Sequence, residues 1–206
     1  MKVFYNTHMQ YRKLGQLDFE VSALGFGTMR MPTVDNKPAH IDETAATEMI
    51  HTAIDRGINY IDTAYPYHGE AGEAFVGRAL QNGYRNKVKL ATKLPIWKVE
   101  AHEDFHRYLN LQLQRLDTDF IDFYLIHALD GERWEKTKQL RILEAAEEAK
   151  ANGLIGHIGF SFHDKYPVFE QIIDEYDGWE FCQIQYNFMD VDFQAGRRGL
   201  RKAYSN

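Results

Sequence analysis

Along this chain, short apolar runs alternate with stretches in which apolar residues recur every three or four positions. Residues 11–14 and 19–23, separated by Gly15-Gln16-Leu17-Asp18, predict a small hairpin ahead of the main fold. Residues 24–28, LGFGT, predict a first strand unusually rich in glycine, and 29–40, with Pro32 and Pro38, predict a loop. A regular beat then begins. Asp42 is a good helix N-cap, Ala46, Met49, Ile50, Ala53 and Ile54 share one helical face, and Gly57 can end the helix. A strand at 58–62 leads into a glycine- and proline-containing loop, and a helical pattern from near Glu70 carries Ala71, Phe75, Val76, Ala79 and Leu80. The third strand is expected at 87–92, followed by a helix lined by Phe105, Leu109, Leu113 and Leu116. Residues 120–126, FIDFYLI, are apolar enough for a strand buried on both faces. One long helix is expected at 134–152, stopping at Gly153, and a fifth strand at 155–160. A helix opened by Pro167 carries Val168, Phe169, Ile172 and Ile173; a sixth strand follows at 181–186, and a last helix from near Phe193 to the end.

Strand and helix thus alternate about every thirty residues, which implies parallel βαβ units with helices covering the sheet. An open doubly wound sheet and a (β/α)₈ barrel both fit. No G-x-G-x-x-G opens a helix: Gly153, Gly156 and Gly159 have the wrong spacing and surround a strand, which disfavours the dinucleotide-binding sheet. A barrel needs two more strands than the six counted here, so either the sequence is a fragment or the fold closes in an unusual way.

Composition excludes some classes of partner. The 206 residues are enough for one sizeable core and one domain, 1–206, with 44% hydrophobic and 26% charged residues, as in ordinary globular proteins. A net charge of −6 argues against nucleic acid. No long apolar run suggests a membrane span, and the N-terminal MKVFYNTHMQYRK lacks the apolar core of a secretory signal. Cys182 is the only cysteine and reads as a buried, unreactive thiol, so a cytoplasmic location is the default expectation.

The polar residues that end the strands carry the chemistry. In order they are Thr28, Asp62, Lys93, His127, Ser161 and Gln185-Tyr186-Asn187, with Tyr67 five positions beyond Asp62 on the following loop. In a barrel, strand ends of this polarity meet on one rim. An ammonium beside a phenol favours the phenolate, and Asp62 is expected to pair with Lys93 and hold it near Tyr67. Tyr67 then serves as a general acid, and His127 as a hydrogen-bond donor that orients a substrate oxygen. Such a site suits reduction of a carbonyl, with electrons from a hydride donor. His102, Asp104 and His106 sit close together, but without a third ligand they read as a solvated helix face, and no metal site is expected. Arg197, Arg198, Arg201 and Lys202 likewise read as a helix face.

These residues resemble the aldo-keto reductase family. The most specific piece, DTAYPYHGEAGEAFVGRAL at 62–80, resembles the family's D-T-A-x-x-Y signature and the G-E-x-x-x-G helix start after it. LATK at 90–93 and DFYLIHAL at 122–129 resemble the strands that carry the family's lysine and histidine. The resemblance implies an α/β fold of the (β/α)₈ TIM-barrel type, cut short after about six βα units, behind a short N-terminal β-hairpin. It also implies a catalytic tetrad of Asp62, Tyr67, Lys93 and His127, and NADPH (or NADH) as cofactor for reducing aldehydes or ketones. Gly27 and Thr28 would line the nicotinamide end, Ser161 and Gln183 would hold its carboxamide, and Tyr186 would stack on the ring. Phe162 stands where many relatives have asparagine, so one carboxamide contact is expected to be missing. YPYHGE is similar to relatives with a cysteine-rich, iron–sulfur-type C-terminal extension, which has no counterpart here. The expected partner is a small carbonyl substrate, with self-association through the incomplete barrel. The alternatives are a non-catalytic or regulatory protein on the same fold, or an inactive fragment of a longer reductase.

Overall fold

The structure, a computed structural model, describes residues 8–206; residues 1–7, part of the segment read above for a secretory signal, lie outside the described residues. Strands β1 (Tyr11–Lys13) and β2 (Glu20–Ser22) pair antiparallel as the expected hairpin. Six parallel strands follow in strict chain order: β3 (Phe26–Gly27), β4 (Tyr60–Asp62), β5 (Lys89–Leu94), β6 (Ile121–Leu129), β7 (Ile155–Phe162) and β8 (Phe181–Ile184). No pairing joins β3 to β8 among the described residues, so the sheet is an unclosed part-barrel, as expected for a truncated (β/α)₈ fold. Helices α1 (Glu43–Asp55), α2 (Gly72–Ala79), α3 (Asp104–Leu116), α4 (Gly131–Gln139), α5 (Ile142–Ala151), α6 (Tyr166–Asp174) and α7 (Gly196–Ser205) complete the chain.

Strand alternation sorts the side chains onto two faces. Ile61, Leu90, Tyr124, Ile126, Ile158, Phe160 and Phe162 join the main core beneath the helices, whose buried stripes include Ile50, Phe75, Leu109 and Phe169. The inner face carries a second, smaller cluster of Ala91, Phe123 and Leu125. Leu14, Leu17 and Phe19 of the hairpin pack against that cluster, with the Phe19 and Phe123 rings 6.2 Å apart, and so close one end of the part-barrel.

Several elements differ from expectation. The helix expected at 134–152 breaks in two. Continuing the stripe of Trp134 and Thr137 at 3.6 residues per turn would bury Arg141; instead Arg141 takes φ 54°, which resets the phase, leaves Arg141 paired with Glu144 in solvent, and buries Ile142. β5 runs on to Leu94, so Lys93 lies inside it rather than just past it. β8 stops at Ile184, leaving Gln185 and Tyr186 in the following loop, and the last helix starts at Gly196 rather than near Phe193. Met49, expected on the buried face of α1, is 45% exposed. Asp42 does cap α1, accepting from the Ala45 amide at 3.1 Å.

Candidate functional site

Period-two alternation also fixes the site. Asp62 follows Tyr60 on the inner face, Lys93 follows Ala91, His127 follows Leu125, Ser161 follows Gly159, and Gln183 follows Phe181. Five neighbouring strands therefore place five polar side chains above one apolar layer. Lys93 is 1% exposed, and its ammonium donates to both Asp62 carboxylate oxygens, at 2.7 and 2.8 Å, and to the Thr63 carbonyl at 2.8 Å. All three of its protons are thus engaged. It lies 5.2 Å from the centroid of the Tyr67 ring, close enough for a cation–π contact. No hydrogen bond joins Lys93 to the Tyr67 hydroxyl among the described residues.

Tyr67 reaches this position at the start of the turn between β4 and α2. Gly72 at the start of α2 permits the approach, because a Cβ there would stand 3.0 Å from the Tyr67 carbonyl oxygen and 3.1 Å from its Cβ. His127 presents its ring edge-on to Tyr67, with centroids 6.3 Å apart and planes at 80°. Its Nδ1 is buried without a hydrogen-bond partner among the described residues. Burial, with Lys93, His163 and Arg133 as nearby positive charges, lowers the His127 pKa from 6.5 to about 3. The imidazole is therefore neutral at ordinary pH. A bulge after His127, with Ala128 at φ 55°, turns the Ala128 amide onto the Ser161 hydroxyl at 2.7 Å. Ser161 is thereby a hydrogen-bond acceptor near the end of β7.

The His127 titration has a measurable consequence for stability. Between pH 6.5 and 3 the unfolded chain takes up a proton at this residue that the folded chain refuses, so stability falls as the pH drops, by up to about 1.4 kcal/mol per unit. His127→Phe is expected to flatten this acid-side loss. Urea unfolding near neutrality and near pH 5 measures it; equal losses in the two proteins would refute the assignment.

The remaining expected residues line the same rim. Thr28 is buried, and both its amide and its hydroxyl donate to the Asp62 carbonyl, at 2.9 and 3.0 Å. Gly27 is exposed, with nothing within 4 Å of the place where a Cβ would stand. Gln183 is exposed beside Ser161 in register, and Tyr186 is 42% exposed in the loop beyond β8. Phe162 points to the helix side, with its ring 5.1 Å from Phe169, and leaves the site entirely. The pattern of strand ends gave no sign of Trp97, whose ring lies 5.1 Å from His127 on the turn after β5; an aromatic residue directly after the Pro95-Ile96 pair was the only available signal. His102 Nδ1 donates to the Leu140 carbonyl oxygen at 3.0 Å and His106 lies 3.8 Å from Glu148; no group of metal-binding residues forms among the described residues.

A family model described as "Aldo/keto reductase family" matches residues 23–204. The chain belongs to the aldo/keto reductase family. Among curated proteins, this aldo/keto reductase family member is 37% identical over 132 residues to "Probable aldo-keto reductase 1" of Glycine max, which covers 60% of this chain and 38% of that protein. It is 34% identical over 162 residues to the "Uncharacterized oxidoreductase YqkF" of Bacillus subtilis, covering 74% of this chain and 49% of that protein. A solved aldo-keto reductase from Klebsiella pneumoniae, in complex with NADPH, superposes with a TM-score of 0.65 at 28% identity, over 82% of this chain and 55% of that one. The chain spans about half or less of the length of these curated relatives. No helix among the described residues is long and apolar enough to cross a membrane.

Proposed function

We propose that this protein reduces aldehydes or ketones with NADPH or NADH, with Asp62, Tyr67, Lys93 and His127 as its catalytic residues. The observation that carries the reading is the Lys93 ammonium, held by both oxygens of Asp62 and poised over the ring of Tyr67. A carbonyl oxygen in the cleft between Tyr67 and His127 gains negative charge as the carbon is reduced. Tyr67 donates its proton to that oxygen, and the fixed positive charge of Lys93 stabilises the phenolate left behind. The neutral His127 has one proton to place. An unpartnered buried N–H costs more than an unpartnered lone pair, so the proton belongs on Nε2, where it can be donated to the same oxygen.

The residues present suit the nicotinamide end of such a cofactor. The Ser161 oxygen already accepts from the Ala128 amide, which leaves its proton free for a carboxamide oxygen, and the adjacent Gln183 amide can both donate and accept. Gly27 leaves open space at the end of β3 for a flat ring, and the half-exposed Tyr186 offers a stacking face. When bound, the nicotinamide supplies the hydride. The partner is a small carbonyl compound. The single cysteine and the net charge of −6 support a cytoplasmic enzyme without a nucleic-acid partner. The unpaired edges of β3 and β8 among the described residues support self-association.

The test is purified protein with NADPH dideuterated at the nicotinamide C4 and a panel of aldehydes and ketones. Deuterium is expected on the former carbonyl carbon of the product. Cofactor binding with no label transfer to any carbonyl would support the non-catalytic alternative instead.

A further inference from the structure

The side chain next to Tyr67 is used differently from the four around the cleft. His68 is 7% exposed, and its ring is engaged with the backbone of the segment between β3 and α1. Nδ1 lies 2.8 Å from the Pro38 carbonyl, and Nε2 accepts from the Met31 amide at 3.2 Å with the Thr28 carbonyl 3.1 Å away. One neutral tautomer satisfies the first two contacts, donating from Nδ1 and accepting at Nε2. The backbone is drawn into an unfavourable shape to achieve this. His68, Gly69 and Glu70 have φ of 54°, 62° and 73°, a left-handed run that residues with a Cβ keep only where their surroundings hold them.

The contacts form a closed circuit. Asp62 accepts two hydrogen bonds from Thr28 at its own carbonyl, Met31 and Pro38 on the loop that follows Thr28 hold His68, and His68 adjoins Tyr67, five residues along the chain from Asp62. Resting on the function proposed above, we infer that His68 is a positioning residue: it locks the Tyr67 loop onto the end of β3, and so fixes the distance from the phenol to Lys93 and His127. It acts through Tyr67 and does not itself touch substrate.

The experiment compares His68→Phe and His68→Gln in the full chain. Thermal unfolding verifies that each is folded. Tyrosine ¹³Cζ NMR, with the Tyr67 signal assigned from Tyr67→Phe, reports the environment of the phenol without substrate. His68→Phe is expected to move or broaden the Tyr67 signal and to lower kcat by roughly 10²-fold, the loss a misplacement of about 1 Å brings, while the Kd for NADPH changes by less than about threefold. Glutamine, which keeps a donor and an acceptor, is expected to restore much of both. An unmoved Tyr67 signal in folded His68→Phe, or a glutamine variant no better than phenylalanine, overturns the inference. If His68→Phe does not fold, His68→Ala, which also removes donor and acceptor, carries the same comparison against glutamine. Absence of turnover in the unmodified protein would sink the proposed function, whereas the NMR signal still decides the role of His68.

Discussion

Tyr67→Phe is expected to lower kcat for carbonyl reduction by roughly 10³-fold, within the range that a general acid contributes. The substitution removes one oxygen and keeps the ring. The Lys93 ammonium above that ring and the edge-on His127 therefore retain their partner, and the fold should be unperturbed. Affinity for NADPH is expected to stay close to that of the parent, because the residues suited to the carboxamide lie on β7 and β8. Steady-state kinetics and fluorescence titration of NADPH separate the two quantities. Turnover within tenfold of the parent would show that the proton comes from elsewhere, and the cleft would need a different donor.

Lys93→Met should act on stability as well as on rate. It leaves the Asp62 carboxylate, 8% exposed, without its cation, and the Thr63 carbonyl without its donor. Breaking a buried ion pair by removing one partner costs about 3–5 kcal/mol, because the remaining charge stays out of water. Urea unfolding is expected to show a loss of that size, and the double variant Asp62→Leu with Lys93→Met is expected to recover most of it, since no charge is then stranded. Activity should be lost in both. A single variant as stable as the parent would mean that Asp62 finds another partner or water, and the rigid mounting of Lys93 would have to be abandoned.

Much of this site was legible in the sequence because it obeys a simple rule. Asp62, Lys93, His127 and Ser161 each interrupt or end an apolar strand, and period-two alternation carries them to one face. The helix break at Arg141 was not legible. No glycine or proline marks it, and only the three-dimensional demand that Arg141 stay in solvent while Ile142 is buried resolves the phase. The end of β8 at Ile184 was misplaced because Gln185 and Tyr186 continue the alternating pattern after the ladder has ended. His68 stayed hidden for a different reason. Its partners are backbone atoms of residues 31 and 38, and backbone atoms leave no trace in residue identity.

The strict chain order of the six parallel strands bears on how the chain finds this arrangement. Each strand pairs with the next in sequence, so paired residues such as Phe26 and Ile61, or Phe160 and Cys182, lie about 22 to 35 positions apart, and closing each successive loop costs a similar entropy. No strand has to wait for a distant segment before it can dock. As the chain leaves the ribosome, the partners of the Asp62–Lys93 ion pair emerge first, and His127 arrives one βα unit later. These residues of the proposed site are thus encoded in three consecutive units, and their assembly is local in time as well as in sequence.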